Sequence, residues 1–587
     1  MATVIADNII SPLGTSTQAN YQAVKAGKSA LRLYREAPGI PFSFTASLFS
    51  DEQKKEFQID GYTAFESLAI TSIRKTLQEC QIPMNERTCL IISSTKHEGP
   101  TAAQRIAQAV GINTTPIIVC NACISGVSAL ILGNRLIDMH QYDYVIVCGL
   151  DLQSPFIISG FQSLKALSED PCRPFDIERT GLNLGEAAAT VILGCKDSDN
   201  CWHITGSAIR NDAYHISSPS PKADGCLMAI ETAMEGKDTE RLAVINAHGT
   251  ATLYNDQMEA RGLSRAGLSD IPTNALKGYY GHTMGAAGIL ETILTLHGIQ
   301  DHTIIGTKGY EELGVSGNIN IVGKNTPTEK TDFLKIVSGF GGCNAAIYGT
   351  TQPSALHREW GFAPLCGAVA TSSGYSKDPS RPIEGNKGVR DKKLVTMHSI
   401  TITPQKVVLD NEAIDTEGQT GEALLTHLYK TRIQDYPKFY KMDVLARLGF
   451  VATELLLQKE RETEGEKDHN ERAVIFFNQS SSEHADKVFL SSISNPENFF
   501  PSPAAFVYTL PNIVNGEIAI RNDYHGETAF YVLPNKDDEI MHMITQATMQ
   551  DNFHKSIITG WLECKTEEEF CVELKIENLH RHSDITT

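Results

Sequence analysis

The sequence contains no block of basic residues. Its 51 Lys and Arg are outnumbered by 70 Asp and Glu, which gives a formal net charge of −19 over 587 residues. Proteins that bind nucleic acid or an anionic membrane surface as their main task concentrate positive charge on one face. We therefore expect no nucleic-acid partner and no attachment to an anionic membrane.

Long apolar runs and a cationic leader are also missing. No window reaches the roughly 18 consecutive apolar residues of a membrane-spanning helix, and the N-terminal segment MATVIADNII has no positive charge before its apolar residues. The 13 cysteines are odd in number and few for the length of the chain, so a secreted disulfide framework is not expected. These features predict a cytoplasmic protein with reduced thiols and no membrane span.

Residues 1–352 alternate β-branched runs with helical patterns. The segment TPIIVC (115–120) predicts a strand, ISGVSALILGNRLIDMH (124–140) a helix and YDYVIVCG (142–149) a second strand. Strand, helix and strand at this spacing are typical of a βαβ unit, which predicts an α/β fold with a parallel sheet. The helix is apolar on nearly every face, so it should lie buried between two layers.

A linker divides the chain. Residues 371–393 combine Ser, Pro, Gly and Lys without apolar periodicity, which is typical of a linker or long loop. We predict a first domain over 1–355, a linker over 356–394 and a second domain over 395–587.

The second domain shows its own regular pattern. Residues 398–410 alternate like a strand, and 440–460 carry an apolar face at helical spacing. The charged run 459–472 predicts a solvated loop.

The second domain also echoes the first. The helix-like segment 54–73 and the strand 87–95 resemble 437–456 and 472–480 in pattern and order. The second domain therefore looks like a diverged, partial copy of the first.

One cysteine has a reactive setting. Cys123 lies where the predicted strand turns into the buried helix, so the helix dipole and free backbone N–H groups should lower its pKa and favour the thiolate. An inert core cysteine is the alternative. Cys120 and Cys123 also form a C-x-x-C pair, which would suit redox chemistry or half of a zinc site, but no second such pair stands at zinc spacing.

Two histidines follow strand or turn signals. His248 comes directly after the run LAVINA, and His282 lies between a glycine turn and an Ala-rich helix. Both positions suit residues that face a cleft, although a single histidine in such a place is more often structural.

Five motifs occur together and in one order. They are Asn121-Ala122-Cys123-Ile124-Ser125, Ala247-His248-Gly249-Thr250-Ala251-Thr252 with Asp256, Lys277 with Gly281-His282-Thr283, Gly285-Ala286-Ala287-Gly288, and Gly339-Phe340-Gly341-Gly342 with Asn344. This set resembles the β-ketoacyl synthases of the thiolase superfamily over about residues 1–352. The resemblance implies a layered α-β-α-β-α fold built of two βαβ-rich halves.

The resemblance implies a mechanism and a set of roles. In ketosynthases of this Cys-His-His type, the cysteine takes an acyl chain from a carrier-protein thioester. Malonyl-carrier protein then loses CO₂, and the resulting carbanion attacks the acyl-cysteine. Cys123 would be the nucleophile, and His248 and His282 would stabilise the enolate.

The remaining residues of the motifs receive supporting roles by the same resemblance. The implied assignments are Cys123 and Phe340 for the oxyanion hole, Phe161 and Phe340 for gating, Thr250 and Thr252 for the phosphopantetheine arm, and Lys277, Glu291 and Asp256 for the charged groups behind the histidines. No metal and no cofactor are expected beyond the phosphopantetheine of an acyl carrier protein.

Two stretches depart from the family pattern. The family's N-S-F before the G-F-G-G turn becomes Ile336-Val337-Ser338, and its G-E-G becomes Gly185-Glu186-Ala187. Neither change touches the Cys-His-His set, but both leave chain-length preference open.

The second domain lacks the catalytic motifs. Its alignment with the first domain places Pro511 and Asn512 near the expected nucleophile position. Because ketosynthases dimerise through their N-terminal halves, we expect residues 395–575 to act as a built-in partner resembling a chain-length factor. The chain would then be an intrachain pseudo-heterodimer, or a homodimer.

An acyl carrier protein is acidic and would need a basic surface. Candidate docking residues are Lys25, Lys28, Arg32, Arg35, Lys54 and Lys55 in the first domain and Lys438 and Lys441 in the second. Two alternatives to a condensing enzyme stay open: a non-catalytic carrier-binding partner of another ketosynthase, and a thiolase-type acyltransferase with Cys343 as second cysteine.

Overall fold

The computed structural model describes residues 2–195, 201–351, 393–465, 469–495 and 499–579. Nearly all of the predicted linker 356–394 lies outside the described residues. No helix among the described residues is long and apolar enough to cross a membrane.

The first half of the first domain begins with an antiparallel edge and continues as a parallel sheet. Its elements are β1 (Thr3–Ile10), α1 (Thr17–Lys25), β2 (Arg32–Tyr34), β3 (Phe44–Ser47), α2 (Asp51–Phe57), α3 (Ala64–Glu79), β4 (Thr88–Ser93), α4 (Pro100–Ala109), β5 (Ile117–Val119), α5 (Ser125–Asp138), β6 (Tyr144–Asp151), α6 (Pro155–Ser163), β7 (Leu184–Gly185) and β8 (Ala187–Gly194). The sheet order is β1-β8-β6-β4-β5, with β4 parallel to both β5 and β6. The predicted βαβ unit is confirmed as β5, α5 and β6.

The second half of the first domain repeats this arrangement. Its elements are β9 (Trp202–Asn211), α7 (Asp224–Ala233), β10 (Leu242–Asn246), α8 (Leu253–Arg265), β11 (Thr273–Asn274), α9 (Lys277–Tyr280), α10 (Ala287–Gln300), β12 (Thr303–Ile304), β13 (Thr326–Pro327), β14 (Asp332–Gly339) and β15 (Cys343–Thr350). The sheet order is β9-β15-β14-β10-β11. Helices α5 and α10 lie between the two sheets, and α5 is buried from Ser125 to Ile137, as its all-round apolar sequence predicts.

The C-terminal region forms one further half. Its elements are β16 (Leu394–Thr403), β17 (Lys406–Leu409), β18 (Glu412–Ile414), α11 (Gly421–Leu428), α12 (Val444–Glu464), β19 (Ala473–Asn478), α13 (Glu483–Ser491), α14 (Pro503–Tyr508), α15 (Ile513–Asn522), β20 (Thr528–Val532), α16 (Asp538–Thr548), β21 (Ser556–Thr566) and β22 (Glu569–Leu579). The sheet order β16-β22-β21-β19-β20 repeats that of the first half, strand for strand and direction for direction. The expected partial thiolase-like half is confirmed.

The C-terminal sheet continues the first sheet. Strand β20 pairs antiparallel with β5, with Tyr531 opposite Val119 and Val532 opposite Ile118, so two five-stranded sheets form one ten-stranded sheet. Cys120 N–H extends this ladder to Phe530 O at 3.0 Å. The C-terminal region therefore packs directly against the edge of the strand that leads to Cys123.

Three expectations for this region are wrong in detail. Residues 398–410 form a hairpin of β16 and β17 rather than one strand. Part of the charged run 459–472 continues helix α12 to Glu464, and within it Glu460 is buried against Arg472 at 2.6 Å instead of solvated. The topology also moves the position that matches Cys123 to the turn 533–537 between β20 and α16, whereas Pro511 and Asn512 precede that strand.

Helix α16 takes the place that α5 has in the first half, but only one of its faces is covered. Its apolar residues Met541, Ile544 and Ala547 are buried, whereas Asp538 and His542 are exposed. In the described chain no further sheet follows to cover that outer face, and the polar residues there make it compatible with solvent.

Candidate active site

Cys123 lies on a single 3₁₀ turn, Ala122–Ile124, between β5 and α5. Ala122 has φ 48°, a left-handed conformation that turns the chain sharply so that the cysteine side chain faces a cavity. The backbone N–H groups of Cys123 and Phe340 both face the sulfur and act to lower the pKa of its thiol. The sulfur therefore lies in front of two converging backbone donors.

The two histidines meet this sulfur. Sγ of Cys123 and one ring nitrogen from each of His248 and His282 all lie within 4.8 Å of one another. The two imidazoles pack edge to face with centroids 5.1 Å apart. The structure thus brings together three residues that are 125 and 34 positions apart in the chain.

Burial controls protonation at this site. It lowers the pKa of both His248 and His282 well below 6.5, and the nearby Lys277 ammonium acts in the same direction, so both rings are neutral near pH 7. Burial also raises the pKa of Cys123 to about 12, more than the Lys277 charge and the backbone donors lower it. The expectation of a lowered cysteine pKa is therefore wrong for the unliganded site, because loss of water outweighs the helix terminus.

The tautomer of one ring is fixed. Met284 N–H donates to Nδ1 of His282 at 3.3 Å, which leaves the ring proton on Nε2, facing the cavity. Within the described residues, Nδ1 of His248 has no hydrogen-bond partner. His282 is thus a fixed donor, and His248 is free to accept a proton or to donate one.

Metal binding is less suited to this arrangement. Cys123, His248 and His282 are the group of potential ligands that the described residues bring close enough for one ion. However, a metal bound at Nε2 of His282 would displace the proton that Met284 N–H fixes there. The cavity therefore favours an anionic oxygen over a cation.

A cavity of about 360 Å³ connects the cysteine to the surface. It is lined by Cys123, His248, His282 and Phe340, and its mouth contains Thr250 and Thr252, whose hydroxyls are 2.8 Å apart. Leu253 and Tyr254 stand at the same mouth and are 60% and 76% exposed. This opening suits a long flexible arm that delivers a reactive group to the cysteine.

Behind the cysteine almost no space remains. A gap of about 10 Å³ is lined by Phe161, Phe340, Met284 and two residues of the C-terminal region, Phe506 and Leu510. Phe161 stacks on Phe340 with centroids 6.2 Å apart and meets Phe506 at 5.5 Å. Both predicted gating aromatics therefore border this gap, and the C-terminal half supplies its far wall.

The charged residues behind the histidines form a buried network. Lys277 donates to Glu291 at 2.7 Å and to His248 O at 2.6 Å, and Asp256 accepts from Phe175 N–H at 2.7 Å. Sequence reasoning missed two members, Glu259 and Lys335, which belong to the same network. A carboxylate three positions after a motif residue, or a lysine just before the glycine-rich turn, carries no signal of burial in the sequence.

The docking candidates lie away from this cavity. Within the described residues, none of Lys25, Lys28, Arg32, Lys54 and Lys55 lines the cavity that contains Cys123. Lys25 forms an ion pair with Asp301. Arg35, Lys438 and Lys441 are exposed but are not at the mouth either. Carrier docking at these residues stays a prediction.

The thiolase alternative finds no support in the geometry. Cys343 is fully buried under the glycine-rich turn, with Sγ against Phe340 O at 3.2 Å and Asn121 O at 3.9 Å. It does not line the described cavity. Cys123 is thus the cysteine that the cavity exposes to a substrate.

Comparison with known proteins agrees with this site. Residues 68–198 match the model of the β-ketoacyl synthase N-terminal domain, and residues 202–311 match that of the C-terminal domain. The 3-oxoacyl-[acyl-carrier-protein] synthase 2 of Coxiella burnetii is 26% identical over 396 residues, which cover 58% of this chain and 95% of the relative. The ketoacyl synthase alpha subunit of the tetracenomycin polyketide synthase of Streptomyces glaucescens is 31% identical over 268 residues, 42% of this chain and 63% of the relative.

Solved structures extend the likeness to the whole fold. The PfaC ketosynthase-chain length factor superimposes with a TM-score of 0.73 at 14% identity, covering 100% of this chain and 79% of that chain. The ketosynthase ApeO, solved in complex with its chain length factor ApeC from Xenorhabdus doucetiae, gives 0.51 at 23% identity, covering 60% of this chain and 97% of that chain. Residues 68–198 and 202–311 thus carry the two domains of a β-ketoacyl synthase, an acyltransferase-class enzyme, and the chain has the thiolase-like ketosynthase fold.

Proposed function

We propose that the chain condenses an acyl group with a malonyl group, both delivered as thioesters on acyl carrier protein, to give a 3-oxoacyl thioester. The observation that carries this proposal is the convergence of two neutral imidazoles and two backbone N–H groups on one buried thiol. Such a site stabilises negative charge on oxygen without a metal.

In the first step Cys123 attacks the acyl thioester. The sulfur–acyl bond to Cys123 forms as the bond to the carrier thiol breaks, and the cysteine proton passes to the departing thiol. The N–H groups of Cys123 and Phe340 hold the carbonyl oxygen while it carries negative charge. Because burial disfavours the free thiolate, proton transfer accompanies the attack.

In the second step the malonyl group loses CO₂. The electron pair of the broken carbon–carbon bond moves into an enolate, whose oxygen accepts hydrogen bonds from Nε2 of His282 and from His248. The enolate carbon then attacks the acyl carbonyl on Cys123, the carbon–sulfur bond breaks, and the thiolate takes up one proton from solvent water. The products are CO₂, the 3-oxoacyl thioester and free Cys123.

The C-terminal half is proposed as a permanent partner that completes the site. It supplies Phe506 and Leu510 to the wall behind Cys123 and holds the glycine-rich turn through Asn512, whose Nδ2 donates to Phe340 O at 2.9 Å. The wall is closed at rest, so an acyl chain must displace Phe340 or Phe161. A pseudo-heterodimer inside one chain, working in the cytoplasm with acyl carrier protein as its partner, is the arrangement that we propose.

Intact-mass measurement of the full chain after incubation with acyl-carrier protein tests the first step. We expect one acyl mass on the wild type and on Cys226→Ala, a buried cysteine outside the cavity, and none on Cys123→Ala. An acyl adduct on Cys123→Ala, or none on the wild type with any acyl length, would refute the proposal.

A further inference from the structure

Lys335 is a buried cation that the family motifs do not include. It lies on β14, is fully buried, and its Nζ donates to Glu291 Oε2 at 2.6 Å and to Ala247 O at 3.3 Å. Lys277 occupies the other oxygen of the same carboxylate and donates to His248 O. One carboxylate therefore holds two ammonium groups, and these hold two consecutive carbonyl oxygens of the segment that carries His248.

Glu259 holds the same segment through its N–H groups. Its Oε1 accepts His248 N–H at 2.6 Å, and its Oε2 accepts Gly249 N–H at 2.8 Å. The segment from Ala247 to Gly249 is thus fixed by four hydrogen bonds to charged side chains. Hydrogen bonds to ionised groups are about twice as strong as neutral ones, so the ionisation of these groups decides how firmly His248 is positioned.

The charges of this cluster balance. The cations are Arg179, Lys277 and Lys335, and the carboxylates are Asp256, Glu259 and Glu291, none of them more than 8% exposed. Arg179 lies 3.8 Å from Asp256, and Glu291 contacts both lysines. A buried charge without a partner is strongly unfavourable, so removing one cation would force one carboxylate to take up a proton.

Glu259 is the group that would take up that proton. Burial and the neighbouring Asp256 raise its pKa to about 7, whereas the two lysines hold the pKa of Glu291 below its usual value. A protonated Glu259 keeps one good acceptor oxygen instead of two. One of the two N–H groups that it holds would then lose its partner, and His248 would be less firmly placed.

We propose that Lys335 is a positioning residue for the decarboxylation step, acting through His248: it balances the buried cluster and, with Lys277 and Glu259, fixes the peptide from which the ring reaches the enolate. This inference rests on the proposed function. Lys335 also adds positive potential behind both rings and, like Lys277, lowers their pKa.

The test compares Lys335→Met, which keeps the length but not the charge, with the matched variant Lys237→Met. Lys237 is a half-buried lysine that donates to Thr205 O, away from the cavity. In Lys335→Met we expect acylation of Cys123 to stay within about threefold of wild type and condensation with malonyl-carrier protein to fall about 10- to 100-fold. Lys237→Met should match the wild type in both.

The pH profile separates positioning from loss of structure. Condensation by the wild type should fall as the pH is lowered through about 7, because Glu259 becomes protonated. In Lys335→Met this acid limb should move at least about one pH unit higher, since the lost cation favours the protonated carboxyl. In the double variant Lys335→Met/Glu259→Gln, two cations face two carboxylates and no Glu259 carboxyl is left to protonate. Its condensation rate should therefore no longer fall as the pH is lowered through this range.

Lys335→Arg keeps the charge and should condense faster than Lys335→Met. The inference would be overturned if wild type and Lys335→Met lost condensation at the same pH, or if Lys335→Met lost acylation and condensation equally. It would also be overturned if Lys335→Arg condensed as slowly as Lys335→Met, or unfolded as readily. A wild type that neither acylates nor condenses would instead refute the proposed function, so the two failures are distinguishable.

Discussion

The side-chain amide of Asn512, in the C-terminal half, donates to the backbone oxygen of Phe340 at 2.9 Å. Phe340 N–H faces the sulfur of Cys123, so one hydrogen bond links the C-terminal half to the residue whose N–H is proposed to hold the reacting carbonyl. Gly516 explains how α15 comes so close, since a Cβ there would lie 2.7 Å from Gly341 O.

Asn512→Ala should slow acylation of Cys123. The change removes the amide donor from Phe340 O, leaves it the weak thiol donor of Cys343, and lets the glycine-rich turn move, so we expect a loss of about 1 kcal/mol in the free energy of unfolding and roughly tenfold slower acylation. Thermal unfolding and the rate of adduct formation measure both effects. An acylation rate unchanged from wild type would contradict the proposed link.

Phe506→Leu should lengthen the acyl chains that the site accepts. Phe506 closes the gap behind Cys123, and Gly160 allows this because a Cβ there would lie 2.0 Å from the Phe506 ring. The smaller side chain should shift the preferred acyl length upward, measured by adduct formation across carrier proteins of graded chain length. Phe489→Leu, in the same aromatic cluster but not at the gap, should leave the preference unchanged.

Arg135→Met should destabilise the contact between α5 and the C-terminal half. Arg135 and Glu527 form an ion pair at 2.8 Å, with Glu527 fully buried. Leaving that buried carboxylate without its ion-pair partner should cost about 3–5 kcal/mol, measured by urea unfolding. Adding Glu527→Gln should recover part of the loss, and a double variant no more stable than the single one would contradict the interpretation.

Asp443→Asn should make the chain more stable at alkaline pH. Asp443 caps α12 by accepting Ala446 N–H at 3.0 Å, and burial raises its pKa to about 7. A carboxyl with a raised folded-state pKa stabilises the fold at low pH, and that contribution is lost as the pH rises from about 4 to about 7. The neutral amide keeps an acceptor oxygen for the cap.

We therefore expect Asp443→Asn to gain on the order of 1 kcal/mol at pH 8 and to lose part of the pH dependence of unfolding. Asp537→Asn, at the cap of α16, should show no such gain. Equal effects of the two substitutions would mean that burial of Asp443 is not the cause.

The sequence predicted the first domain well because its signals are local. The apolar run of α5, the turn at Cys123 and the glycine-rich turn at Phe340 each reflect backbone requirements that only a few residue types satisfy. Lys335 and Glu259 escaped prediction because a charged side chain shows no sign of burial until its partners from other strands and helices are known.

The sequence predicted that the C-terminal half repeats the first half of the first domain, but it placed the position that matches Cys123 wrongly. Its helix and first parallel strand echo those of the first half, whereas the insertion of α14 and α15 before β20 moved the apparent nucleophile position to Asn512. The pKa of Cys123 was expected in the wrong direction because the loss of water around a buried thiol outweighs the helix terminus beside it.

The central claim is that Cys123 and the two histidines carry out a decarboxylating condensation. The most direct test is mass spectrometry of the carrier protein after the full chain is incubated with acyl- and ¹³C-malonyl-loaded carrier. We predict a labelled 3-oxoacyl product from the wild type and from Cys226→Ala, and none from Cys123→Ala. The same product from Cys123→Ala, or unchanged malonyl-carrier protein with the acylated wild type, would contradict the claim.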